Sequence, residues 1–192
     1  MRNIIIILFA FAAFYACHPK ESKVENSAKE EHIAVKEILA APDTTIIDSH
    51  YTFTEALVGS NAPQAVIDEL ELIDVTYLST DEKLHQGQIL TNKRLAKDIE
   101  EIFQLMLQQD FVIERAIPIV AYNWSDSLSM TNNNTYSFCY RNISYSYHAK
   151  GLAIDINPRF NPLRWKNKDS PNKPQGAISD TTINGTLHPI IQ

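Results

Sequence analysis

The ten residues Ser146 to Asp155, SYHAKGLAID, constrain this chain more than any other stretch. Read as an extended segment, they send Leu152, Ile154 and Ile156 to one side and Gly151, Ala153 and Asp155 to the other, because successive side chains of a strand alternate. The apolar side can cover a core. The opposite side carries one carboxylate flanked by residues with almost no side chain, which leaves room for close approach to Asp155. His148, just before the turn at Gly151, can swing toward the same space. An imidazole and a carboxylate converging on an open pocket suit a zinc ion, which accepts both ligand types. A hydrogen-bonded structural pair is the competing reading of the same two residues.

The fuller pattern, Ser-x-His-x-x-Gly-x-Ala-x-Asp, holds from Ser146 to Asp155. It resembles the zinc-ligand motif of the D-alanyl-D-alanine carboxypeptidase and L-alanyl-D-glutamate endopeptidase family. These are bacterial cell-wall metallopeptidases of the lysostaphin, D-Ala-D-Ala peptidase and hedgehog structural group. Upstream, NNNTYSFCYR (Asn132 to Arg141) is similar to the family's Asn-Thr-x-x-Phe-x-x-Arg segment. Downstream, DINPRFNP (Asp155 to Pro162) is similar to its Asp-x-Asn-Pro-x-x-Asn-Pro segment. GQILTNKRLAKDIEEIF (Gly87 to Phe103) resembles the strand–helix unit that precedes the site, so the resemblance spans Ile67 to Pro189.

The resemblance implies zinc-dependent hydrolysis of peptide bonds in peptidoglycan stem peptides, by a carboxypeptidase or an endopeptidase. Such chemistry needs three protein ligands and an open position for water, whose pKa the metal lowers to about 7. A carboxylate then takes the proton and passes it to the leaving amine. By resemblance, His148 and Asp155 are two of the three Zn2+ ligands. Arg141 binds the substrate carboxylate or the oxyanion, for which its fork of donors is suited. A salt bridge ordering the Asn132–Asn134 loop is the alternative for Arg141. Ser146 hydrogen-bonds substrate or, alternatively, caps the turn.

The family completes its site with a later segment, Gly-Gly-x-Trp, followed by an acidic general base a few positions before the third ligand, a histidine. Beyond Asp155 this chain has His188 as its one histidine and Asp169 and Asp180 as its acidic side chains. The expectation is a domain that stops one helix and one hairpin short, lacking the third ligand and the general base. His188 as substitute ligand with Asp180 as base is the weaker alternative. Three functions follow: a wall peptidase, a wall-binding protein with an incomplete site, or a non-functional remnant.

The first residues read as a targeting segment, with Arg2 ahead of an apolar run from Ile4 to Ala16 that is short for a membrane span. Ala16-Cys17 resembles a lipoprotein cleavage box, although Phe14 replaces the usual Leu. Lipidation at Cys17 would anchor the product to a membrane of the bacterial cell envelope, since several acyl chains hold stably. Ordinary secretory cleavage and an uncleaved anchor are the alternatives. With Cys17 lipidated, Cys139 has no disulfide partner and reads as a small packed residue rather than a nucleophile. Residues 18–60 read as a polar tether of mixed charge, with a short helix near His32–Ala40 as an option, and 61–192 as the domain. A net charge of −6 without a basic stripe excludes a nucleic-acid partner from the expectations.

The coarse pattern predicts an α+β fold, a small antiparallel sheet with helices packed on one side, and the hedgehog/D-Ala-D-Ala-peptidase-like fold agrees. Pro63 to Leu70 reads as a short helix, Leu72–Leu78 and Gly87–Leu90 as strands. A longer helix follows, capped by Thr91 or Asn92, with Leu95, Ile99, Ile102, Phe103 and Met106 on its buried face. Ile113–Tyr122 reads as a strand broken near Pro118, Asn123–Asn134 as a polar loop, and Gly151–Ile156 as the motif strand.

Overall fold

A computed structural model describes residues 45–143, 145–166 and 170–187. These all belong to the unit Glu37–Gln192. The targeting run, Cys17 and the segment His32–Ala40 lie outside the described residues, as do Asp169 and His188. Among the described residues no helix is long and apolar enough to cross a membrane.

The described fold is α+β, built around one antiparallel hairpin. Strands β2 (Leu70–Leu78) and β3 (Leu84–Asn92) pair in continuous register from Leu70 opposite Asn92 to Leu78 opposite Leu84. Both run longer than the sequence pattern suggests. The strands alternate, and each side of the hairpin finds its own cover. Ile73, Val75, Tyr77 and Ile89 face helix α2 (Lys93–Gln108), which buries Ala96, Ile99, Phe103 and Met106 against them. Asn92 caps this helix, its side chain accepting the N–H of Arg94 at 3.1 Å. The buried face differs from the expected one, and Leu95 is only partly buried. Ala96 is in the core, and Ile102 is 38% exposed.

The opposite side of the hairpin, at Leu70, Leu72 and Leu90, is covered by Tyr51, Phe53, Ala56 and Leu57, with Val66 of helix α1 (Gln64–Ile67). Residues 45–60, assigned from sequence to the tether, are thus packed structure, and Ala56 is fully buried. The sheet is also not purely antiparallel. Strand β1 (Ile46–Ile47) lies parallel to β3, with Ile46 opposite His85. Just beyond it Asp48 accepts hydrogen bonds from the Tyr77 hydroxyl and from His85 Nδ1, the latter at 2.9 Å. These polar bonds place a strand too short to show a hydrophobic period.

After α2 the chain is more irregular than predicted. The expected strand Ile113–Tyr122 reduces to β4 (Arg115–Ala116), and from Pro118 onward it becomes a 3-10 turn, Ile119–Tyr122. The Ala116 backbone passes directly over Gly87, where a Cβ would lie 2.1 Å from the Ala116 carbonyl oxygen. The predicted loop Asn123–Asn134 contains helix α3 (Asp126–Thr131), which Ser125 caps by accepting the N–H of Leu128. Strand β5 (Asn134–Thr135) pairs in parallel with β4. The predicted strand Gly151–Ile156 forms only one bridge, Tyr136 with Asp155. Its ends are turned by left-handed residues, Gly151 at φ +65° and Asn157 at φ +42°, which stop a ladder from propagating. Ile154 and Ile156 do pack on the core as the alternation predicts.

Candidate metal-binding site

The end of the hairpin positions the motif. The Gly151 carbonyl accepts the Asn92 N–H at 3.0 Å and the Thr91 hydroxyl at 3.0 Å, while Asn92 Nδ2 donates to the Lys150 carbonyl. Gly151 closes a 3-10 turn, His148–Lys150, whose first carbonyl accepts the Cys139 N–H at 3.0 Å. On the other side, Tyr136 and Asp155 exchange both backbone hydrogen bonds, at 3.2 and 2.9 Å. Two segments, 134–139 and 148–155, are thereby laid side by side.

This arrangement brings His148 and Asp155 together. Ser137 contributes a carbonyl, which can only accept, so the 2.9 Å contact requires His148 Nδ1 to carry the hydrogen. In the neutral ring Nε2 is then the lone-pair nitrogen, and it faces Asp155 Oδ1 at 3.4 Å. Two ligands bound tetrahedrally at zinc distances of 2.0–2.1 Å are about 3.3 Å apart. A backbone carbonyl on the far nitrogen is also the usual way a metal-binding imidazole is oriented.

Burial pushes the His148 pKa down, but the hydrogen bond and charge of Asp155 together with the Ser137 carbonyl outweigh it and leave the value raised. Burial pushes Asp155 up, and the hydrogen bond and charge of His148, with the Arg141 charge, reverse this, holding the carboxyl below its usual range. Without a cation, the two residues form a mutually stabilised pair. Tyr136 packs its ring on His148 at 5.3 Å between centroids. Its hydroxyl donates to Asp126 and also interacts with Asp155, and burial first, then these carboxylates, raise its pKa.

Arg141 neighbours the pair, and its charge acts on both His148 and Asp155. Its Nη1 donates to Asp126 Oδ2 at 3.1 Å, a salt bridge to the helix that leads into the Asn132–Asn134 segment. Its Nε is buried without a hydrogen-bond partner, an unspent donor beside the site. Ser146 accepts the Ala149 N–H at 3.3 Å, which is the turn-capping role. Asp180 spends its carboxylate on its own turn, accepting from the N–H and hydroxyl of Thr182. Cys139 is buried, and burial pushes its thiol up to about 11.

Two residues of this neighbourhood carry no signal in the sequence reading, Tyr136 and Asp126. The asparagines of the flanking segments have a structural role instead. Asn134 satisfies both the N–H and the carbonyl of Ile117, and Asn133 accepts from Arg159 N–H and donates to Glu114. Asn157 and Asn161 both donate to the Gly185 carbonyl.

His148 and Asp155 fit zinc by donor type, separation and tautomer. Among the described residues no third histidine, cysteine or carboxylate completes a group of three. Comparisons with family models, curated proteins and solved structures find no significant match.

Proposed function

We propose that this chain is a cell-envelope protein of the zinc peptidase type, directed at the stem peptides of bacterial peptidoglycan and tethered by a lipid on Cys17. One observation carries the reading. His148 Nε2 and Asp155 Oδ1 face each other at 3.4 Å, with Nδ1 committed to the Ser137 carbonyl. The motif's resemblance to the wall peptidases adds the substrate class and the hedgehog/D-Ala-D-Ala-peptidase-like form of the α+β fold.

Bound zinc would supply a Lewis acid and a water of lowered pKa. The chain's own residues do the rest of what is assigned here. His148 and Asp155 present lone pairs to the ion, and the Ser137 carbonyl fixes the imidazole. Arg141 offers a fixed positive charge and an unspent Nε–H to a substrate carboxylate or a developing oxyanion. Titration with Zn2+ in a calorimeter, followed by incubation with purified sacculi, tests the reading. Binding that disappears in His148→Ala and Asp155→Ala, with new free amines released from sacculi, supports it. No Zn2+ binding by the intact chain sinks it.

The two-donor set among the described residues favours a second reading, a protein that holds wall peptides without cutting them. Sedimentation with sacculi and no released amine would select it.

A further inference from the structure

Asp126 touches two neighbours of the His148–Asp155 pair, Tyr136 and Arg141. The Tyr136 hydroxyl donates to its Oδ1, and Arg141 Nη1 donates to its Oδ2 at 3.1 Å. With both oxygens engaged from different directions, the carboxylate cannot rotate freely. Its place is set by helix α3, in whose first turn it lies, behind the Ser125 cap. Tyr136 is held just as firmly. It is 2% exposed, its ring lies on His148, and its backbone exchanges two hydrogen bonds with Asp155. Tyr136 therefore cannot leave Asp155, and the freedom that remains to it is the torsion of its hydroxyl. That hydroxyl has one hydrogen and two carboxylates within its reach.

We propose that Asp126 is a positioning residue for the His148–Asp155 pair: by accepting the Tyr136 hydroxyl it keeps that single hydrogen off Asp155, leaving the Asp155 carboxylate free to donate its lone pairs to a metal. This rests on the reading of His148 and Asp155 as ligands. Without Asp126 the hydroxyl turns onto Asp155 and competes with the ion. Removing the hydroxyl as well abolishes the competition, so the second substitution repairs the first.

The test compares the unaltered chain with Asp126→Ala, Tyr136→Phe and the double variant. Co2+ is the probe, followed by its visible absorption. Asp126→Ala is expected to weaken Co2+ binding about tenfold, the lower end of what outer-shell partners contribute. Asp126→Ala/Tyr136→Phe is expected to regain most of that loss. An Asp126→Ala protein that binds like the unaltered chain, or a double variant no better than Asp126→Ala, overturns the proposal. The carboxyl 13C signal of Asp155 in metal-free protein gives an independent readout. It is expected to move in Asp126→Ala and, in the double variant, to match Tyr136→Phe. If the unaltered chain binds no Co2+, the ligand reading fails, and an unmoved Asp155 signal separately overturns the role of Asp126. Should Asp126→Ala lose cooperative thermal unfolding, Asp126→Leu, which fills the space and offers no acceptor, takes its place with the same outcomes.

Discussion

The backbone N–H of Asn92 donates to the Gly151 carbonyl at 3.0 Å, joining the last residue of the hairpin to the turn that carries His148. The contact depends on the missing side chain. A Cβ on Gly151 would lie 2.7 Å from the Asn92 nitrogen and 3.0 Å from the Thr91 carbonyl carbon, at a φ of +65°. Gly151→Ala therefore combines left-handed strain with a clash against backbone, and we expect a loss of about 3 kcal/mol or more. Gly176 is the control. Its φ is +78°, but nothing lies within 4 Å of its Cβ position, so Gly176→Ala should lose only about 1–2 kcal/mol. Urea unfolding midpoints of the two variants measure the difference. Equal losses would mean that the close approach at Gly151 contributes nothing.

The metal-free pair predicts a pH dependence of stability. Asp155 is lowered in the folded state, so its contribution is present above its ordinary value of 3.8 and fades as pH falls through the lowered one. His148 is raised, so its contribution is complete below 6.5 and fades as pH rises through the raised value. The pair therefore stabilises most in mildly acidic solution. Thermal midpoints of the intact chain minus those of Asp155→Asn should shrink from about pH 5 to about pH 9. A difference that grows over that interval contradicts the assignment.

Cys139 offers a check on the packing behind the site. Its thiol is 2% exposed and pushed up to about 11 by burial, with the Asp126 charge adding to the shift. Thiolate is the reactive form. Alkylation by iodoacetamide near pH 8 should be about a hundredfold slower in the folded protein than in denaturant, followed by mass spectrometry of the Cys139 peptide. Comparable rates would place the thiol in solvent.

The parts legible in the sequence were those with a sustained period. The alternation from Ile73 to Tyr77 and the four-residue recurrence of Ile99 and Phe103 expose the middle of β2 and α2. Strand β1 is two residues long, held through Asp48 by groups tens of positions away, and α3 is a single capped turn and a half among polar residues. Neither shows a period to detect. The site divides in the same way. His148 and Asp155 lie on one short segment, and their approach follows from the Gly151 turn between them. Tyr136 reaches the pair because segment 134–139 bridges to Asp155, and Asp126 of α3 meets Tyr136 and Arg141 beside it, which is tertiary information. The asparagines from Asn132 to Asn134 suit a polar loop by composition, yet Asn133 and Asn134 are among the most buried side chains.

Asn157 concentrates that buried polar network in one residue, and it yields the sharpest stability prediction. It is fully buried at φ +42°. Its Oδ1 accepts the Glu114 N–H at 3.0 Å, and its Nδ2 donates to the carbonyls of Val112 and Gly185 at 2.8 and 3.1 Å. Asn157→Ala leaves the Glu114 N–H and the Val112 carbonyl unpaired, while Asn161 still donates to the Gly185 carbonyl, and alanine tolerates the left-handed region less well than asparagine, so a loss of about 3 kcal/mol or more is expected. Asn157→Gly loses the same hydrogen bonds without the backbone strain, and should be more stable than the alanine variant by about 1 kcal/mol. Asn157→Asp keeps the acceptor but turns an anionic oxygen toward two carbonyls in a buried site, and should be at least as damaging as alanine at neutral pH. Guanidinium unfolding of the three variants ranks them. An aspartate variant as stable as the unaltered chain would show that the Val112 carbonyl is satisfied by something other than Asn157.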